Sequence, residues 1–233
     1  MTALVAVVLA GMNTFLKPTH DKNEAVYNKR AILAAVNDYL PSPVTELSDE
    51  QVEEIFSKIS QTVIKVDGTS VDKEGVIAAG YKEGTASSID MGKERKKPEN
   101  EKILPTYGFT GEDGKKYWIV SVRGKGLWDE IWGNIAFEDD LNTIAGVSFD
   151  HKAETPGLGA EIKDNKDFYS QFKGKKIYDG PELRSVYVRK GGAKDPDYEV
   201  DGISGATITA DGVTEMMARG LSYYEPYFNS LKG

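Results

Sequence analysis

Residues 117–149 read YWIVSVRGKGLWDEIWGNIAFEDDLNTIAGVSF, and their hydropathy alternates with a period of two rather than the period of a helix. Within this stretch Tyr117 to Arg123, Asn134 to Glu138 and Thr143 to Phe149 are strand candidates, parted by Gly, Asp and Asn turns. Working outward, Ile103 to Tyr107 precedes them across the Glu112-Asp113-Gly114 turn, and Ser185 to Arg189 follows. Phe168 to Phe172 reads as a short helix. Val213 to Leu231 reads as a longer one, with Met216, Met217, Leu221 and Tyr224 facing inward. Strands joined by short turns, with helices mostly after them, predict an α+β fold with an antiparallel sheet and flanking helices.

Ahead of the strands the pattern is helical. Lys93 to Glu101 is a charged, solvated connector; Glu94, Glu99 and Glu101 interrupt its lysines, so it is no basic binding patch. Ser48 with Gln51 makes a capping box, and Val52, Ile55, Phe56, Ile59 and Val63 predict an amphipathic helix over Asp49 to Lys65. Asn23 to Tyr39 predicts another, with Val26, Ile32, Leu33 and Val36 on one side and Pro41 and Pro43 beyond its end. The first stretch, Ala3 to Leu16, is apolar, with Gly11, Asn13 and Thr14 as its interruptions and Pro18 as its expected end. From Met1 to Leu16 a helix rises about 24 Å at 1.5 Å per residue, short of a hydrocarbon core of about 30 Å. It reads as a membrane anchor that is short or truncated; a signal-peptide apolar region and a buried core helix are the alternatives. The expected organisation is residues 1–17 as anchor helix, 18–100 as helical part and connector, and 101–233 as the sheet-bearing domain.

Composition bounds the chemistry. Twenty-nine basic and 37 acidic side chains leave a formal net charge of -8, which argues against a nucleic-acid partner. The chain has no cysteine and only two histidines, His20 and His151. Disulfides, thiolate zinc sites, cysteine-held clusters and histidine-rich metal sites are excluded. Any redox group must be an organic cofactor.

Three segments could hold one. Asp201-Gly202-Ile203-Ser204-Gly205-Ala206-Thr207-Ile208-Thr209 puts small residues and hydroxyls just ahead of the last predicted helix, a place where backbone amides can meet phosphate oxygens. A Gly-Ser turn leading into a helix cap is the plainer alternative. His151 to Glu161 contains Glu154-Thr155-Pro156-Gly157-Leu158-Gly159, a Pro-Gly turn flanked by polar groups. Gly124-Lys125-Gly126-Leu127-Trp128 offers an indole for stacking or, equally, a core anchor. Lys190, before Gly191-Gly192, supplies a cation for a phosphate or flavin edge, or a solvated surface charge.

The threonine segment matches, at each defining position, the flavinylation motif Asp-x-x-Ser/Thr-Gly-Ala-Thr of bacterial FMN-binding domains. With the other two segments in this order, and an apolar segment in front, the chain resembles the C-subunit family of sodium-translocating NADH:quinone oxidoreductases. The G-subunit family of the Rnf complex shares the threonine motif. The resemblance implies FMN joined through its phosphate to the Thr207 hydroxyl by a flavin transferase that uses FAD. Ser204, Gly205, Ala206 and Thr209 then surround the attachment point. Glu154, Thr155, Gly157, Leu158 and Gly159 build one wall of a pocket, and Leu127, Trp128 and Lys190 complete it.

The resemblance also implies an electron-transfer role among the other membrane subunits of a respiratory complex. The chain would sit in the bacterial inner membrane with a single pass and a periplasmic domain. An Rnf-type protein and a non-catalytic flavin-binding module are the alternatives. Lys17, Lys22, Lys29 and Arg30, which follow the apolar stretch, argue by the positive-inside rule for the opposite orientation.

Overall fold

The computed structural model describes residues 2–232. Helix α1 (Thr2–Ala34) runs without a break through Pro18, so the expected stop at that residue and the separate helix from Asn23 are corrected to one helix. Proline removes one hydrogen-bond rung and crowds the preceding turn; here the helix carries on past that defect. No helix among the described residues is long and apolar enough to cross a membrane. From Val26 onward α1 packs on the domain, burying Val26, Ile32 and Leu33, with Val36 just past its end.

Helix α2 (Asp49–Ser57) starts at the expected capping box, Ser48 accepting from the Gln51 amide and Gln51 reaching back to the Ser48 amide. It ends eight residues before the expected Lys65. Strand β1 (Ser60–Lys65) occupies that stretch, because the β-branched run Thr62-Val63-Ile64 favours a pleated chain and pairs along its whole length with a later strand. Strand β2 (Ser70–Val71), helix α3 (Lys73–Ala78) and the single turn α4 (Met91–Glu94) follow. The connector after α4 is less solvated than its charges suggest. The Glu94 carboxylate is buried, accepting from Tyr81, from the Ile103 amide at 2.9 Å and from Lys97 at 2.7 Å. Lys102 Nζ donates to the carbonyls of Glu94 and Arg95 at 2.8 and 3.0 Å.

The meander is β3 (Ile103–Thr110), β4 (Lys116–Lys125), β5 (Glu130–Phe137) and β6 (Ile144–His151). Together with β1 and β2 it forms a six-stranded sheet of order β2-β1-β3-β4-β5-β6, every pair antiparallel. The sheet therefore spans residues before and after 100. Beyond it lie the short helices α5 (Glu161–Asp164) and α6 (Lys166–Tyr169). Next come the small strands β7 (Tyr178–Asp179), β8 (Glu182–Leu183), β9 (Tyr187–Arg189) and β10 (Glu199–Asp201). Helices α7 (Thr207–Ser222) and α8 (Glu225–Lys232) close the chain.

Successive strand residues point to opposite faces, and both faces are covered. Val120, Val122, Ile131 and Ile135 pack against Val213, Met216, Met217 and Leu221 of α7 and Phe228 of α8. Tyr107, Tyr117 and Ile119 pack against Leu33 of α1 and Val52 and Phe56 of α2. Tyr224, fully buried between α7 and α8, donates to the carbonyls of Ser121 and Pro105 at 2.8 and 3.1 Å, which satisfies its hydroxyl. The predicted last helix is thus two helices broken ahead of Pro226, and the first begins at Thr207 rather than Val213.

Candidate functional site

Helix α7 lies unusually close to β4 because small residues face the contact. A Cβ on Gly220 would stand 2.6 Å from Val122 Cγ1, and one on Gly124 would stand 2.6 Å from Met216 Cβ. Nearer the helix start, Gly212 sits on the Lys125 carbonyl. The helix therefore runs antiparallel to β4, and its first turn arrives at the β4–β5 loop. That packing brings together three segments that are far apart in sequence.

Glu154 joins them. Its residue is 5% exposed. Oε1 accepts from the Trp128 amide at 2.9 Å, and Oε2 accepts from Thr209 Oγ1 at 2.6 Å. The Glu154 amide donates to His151 Nδ1 at 3.2 Å, which fixes the loop behind it. At the surface, Trp128 Nε1 donates to Thr155 Oγ1 at 3.2 Å. Leu158 covers the Gly205 backbone so closely that an added Cβ would meet its Cδ2 at 2.7 Å. Gly205 itself has φ +77°, a conformation open to glycine at little cost.

Thr207 is half-buried and is the first residue of α7. The first amides of any helix lack intrahelical acceptors, and here no side chain caps them and no acidic residue stands in the first turn. A cleft of about 410 Å³ opens beside Thr207, lined by Lys190, Gly192, Ser204, Gly205, Thr207 and Asp211. Lys190 is exposed and forms no salt bridge among the described residues. Asp201 Oδ1 accepts from the Ala193 amide at 2.6 Å, holding the Lys190–Gly192 turn against the threonine loop. Behind that turn Glu199 accepts from the Lys194 and Asp195 amides at 2.8 and 3.1 Å and from Arg189 Nε at 2.6 Å. The Lys194 amide, then Arg189, hold its carboxyl down to about 2.

This arrangement fits a phosphate ester on Thr207. An uncapped helix start and an unpaired lysine favour a negative group there. It also fits a flat aromatic group nearby, because Leu127, Leu158, Ile208 and Trp128, the last 65% exposed, leave apolar surface around the threonine. Among the described residues no cluster of three or more acidic or histidine side chains could hold a metal. A smaller cleft of about 80 Å³ on the other side of α7 contains Lys102, Arg123 and Arg219. Each of these cations is already engaged, Arg123 by Glu130, Arg219 by Glu99 and Lys102 by the carbonyls described above.

The structure joins Trp128, Glu154, Thr155, Leu158 and Gly159 to Gly205 and Thr209 at the start of α7, while Lys190 shares with Ser204, Gly205 and Thr207 a cleft that none of residues 127, 128 and 154–159 lines. Two residues take positions other than those expected. The Glu154 carboxylate points inward and is occupied by protein donors. Thr209 is 1% exposed with its hydroxyl committed to Glu154, so it offers no second attachment point. Two residues were missed. Asp201 was legible as the first residue of the motif but not as the clasp on the Lys190 turn. Ile208, at 58% exposure between two threonines, carries no sequence pattern that would mark it.

Known proteins resemble this chain in both sequence and fold. The FMN-binding domain family matches residues 126–222, which contain all three loops. The chain is 32% identical to the C subunit of the Na(+)-translocating NADH-quinone reductase of Neisseria meningitidis over 245 residues, covering 100% of this chain and 91% of that one. It is 31% identical to the Pseudomonas aeruginosa protein of the same name over 225 residues, covering 91% and 84%. Among solved structures, the C subunit from Parabacteroides distasonis superposes with a TM-score of 0.76 at 32% identity, covering 91% of this chain and 96% of that one. Shewanella oneidensis NqrC superposes with a TM-score of 0.69 at 27% identity, covering 92% and 99%. By sequence along its whole length and by fold, the chain belongs to the NqrC family, the C subunits of Na(+)-translocating NADH-quinone reductases.

Proposed function

We propose that this chain carries FMN joined by a phosphoester to Thr207 and passes electrons within a sodium-translocating NADH:quinone oxidoreductase. The observation that carries the reading is Thr207 itself. It is half-buried, it opens an uncapped helix of 16 residues, and it lines the cleft that Lys190 also lines. A phosphodiester there is stabilised by the α7 amides and by the lysine. Bound FMN supplies reversible electron transfer. The protein's residues hold and shield it: Ser204, Gly205 and Ala206 bring the backbone close, and Thr155, Gly157, Leu158 and Gly159 wall one side. Leu127 and Trp128 exclude water from the apolar part.

The family name of the relatives favours this reading over an Rnf-type protein. Sodium translocation requires a membrane, so the partners are the other membrane subunits of the complex, together with a flavin transferase for attachment. The apolar start of α1, where Val5, Met12 and Phe15 are exposed, supports attachment to the bacterial inner membrane, and the family resemblance supports a periplasmic place for the domain.

The test is intact mass after co-expression with a flavin transferase. The wild-type chain gains the mass of one FMN phosphoryl unit, and Thr207→Ala gains none while keeping its melting temperature. Covalent flavin on Thr207→Ala would overturn the assignment.

A further inference from the structure

Glu154 is a buried carboxylate that pairs with no cation among the described residues. Its carboxylate partners are a backbone amide, Trp128 N–H at 2.9 Å, and a hydroxyl, Thr209 Oγ1 at 2.6 Å. Burying a carboxylate without a cation is costly, and here only these hydrogen bonds offset that cost. The surroundings are also shaped to it. A Cβ on Gly126 would come within 2.5 Å of Oε1, and one on Gly159 would collide with Oε2. One side chain therefore spans the β4–β5 loop, the 151–160 loop and the first turn of α7, each of which holds part of the site.

We infer that Glu154 is the positioning residue of this site: its carboxylate fixes the first turn of α7 and so sets where Thr207 presents its hydroxyl. Thr209 lies two residues beyond Thr207 on the same turn, so the bond to Oε2 constrains the turn's rotation and its height above the β4–β5 loop. The bond from Trp128 N–H fixes the backbone of the β4–β5 loop, whose indole bonds Thr155 at the surface. Glu154 acts through its neighbours, since both of its carboxylate oxygens are taken by protein donors. This inference rests on flavin attachment at Thr207.

The geometry separates position from charge. In Glu154→Gln the side-chain carbonyl can still accept from Trp128 N–H, while the new N–H donates to Thr209 Oγ1, whose hydroxyl turns to accept. Glu154→Ala removes both links, and Thr209→Val removes one from the other side.

The experiment measures four proteins, wild type and these three variants, with purified flavin transferase and FAD. It reads the rate of attachment at Thr207, the fluorescence anisotropy of attached flavin, and its midpoint potential. Glu154→Gln keeps both links as neutral hydrogen bonds and attaches flavin faster, with higher anisotropy, than the two variants that lose a link. Thr209→Val attaches about tenfold more slowly than wild type, the effect of one lost hydrogen bond to a charged group, and Glu154→Ala, which loses both links, more slowly still; in both the flavin is more mobile with a shifted potential. If Glu154→Ala does not fold, Thr209→Val against Glu154→Gln decides alone.

Wild-type behaviour in Glu154→Ala and Thr209→Val would overturn the inference, as would a Glu154→Gln variant as slow as Thr209→Val. Failure of the wild type to take flavin would instead overturn the parent reading of Thr207.

Discussion

The Asp201 carboxylate accepts the Ala193 amide at 2.6 Å, so the first residue of the threonine motif fastens the turn that carries Lys190. Asp201→Ala frees that turn, with a cost to stability of about 1 kcal/mol, and slows flavin attachment. Asp201→Asn keeps a carbonyl acceptor and stays near wild type in both. Chemical denaturation and attachment rates check this; equal behaviour of the two variants would detach the turn from the site.

Thr155 Oγ1 accepts from the Trp128 indole at 3.2 Å across the exposed rim. Thr155→Val is close in shape and removes the acceptor. Because the pair is solvated, the expected stability loss is below about 1 kcal/mol. The indole emission spectrum shifts, and so does the absorption of attached flavin. An unchanged spectrum in both would remove this rim from the flavin environment.

Gly157 has φ +73° and open space where a Cβ would stand. Any penalty for a side chain there is conformational, not steric crowding. Gly157→Ala should destabilise by about 1–2 kcal/mol, and Gly157→Val by more, since β-branching narrows the left-handed region further. Urea melts of both variants check the order.

Glu199 ties the Lys190 side of the cleft to β9, and its carboxyl is held at about 2 in the folded protein. A carboxyl depressed on folding stabilises the native state above its unfolded value, and that contribution fades as pH falls through the folded value. The melting temperature of Glu199→Gln should therefore lie below wild type by a constant margin above about pH 4.5. The margin should shrink between that point and about pH 2. A margin that is flat across this window would assign the effect to packing alone.

The strands of the meander were legible because Tyr117, Ile119, Val120 and Val122 alternate between two covered faces, and a period of two has no helical counterpart. β1 was not, because Ile55, Phe56, Ile59 and Val63 satisfy helical spacing up to the point where pairing with β3 takes over. The start of α7 was hidden by Thr207-Ile208-Thr209, poor helix formers that fold as a first turn only because Gly212, Met216 and Gly220 dock the rest on β4. The three loops of the site were legible as motifs. Their junction was not, since the Glu154–Thr209 bond joins residues 55 positions apart, and no local pattern encodes it.

Helix α1 has a mechanical meaning that its burial pattern makes plain. Its 33 residues make a rod of about 50 Å, clamped at one end by Leu33 and Val36 and exposed along the described side chains before Val26. A rigid rod would pass a tilt of that exposed stretch to the sheet, and a rod that bends would absorb it. Bending is easiest where a rung is missing, at Pro18. Pro18 lies on the exposed stretch, eight residues before the buried Val26, so flexing there leaves the contacts around Thr207 undisturbed.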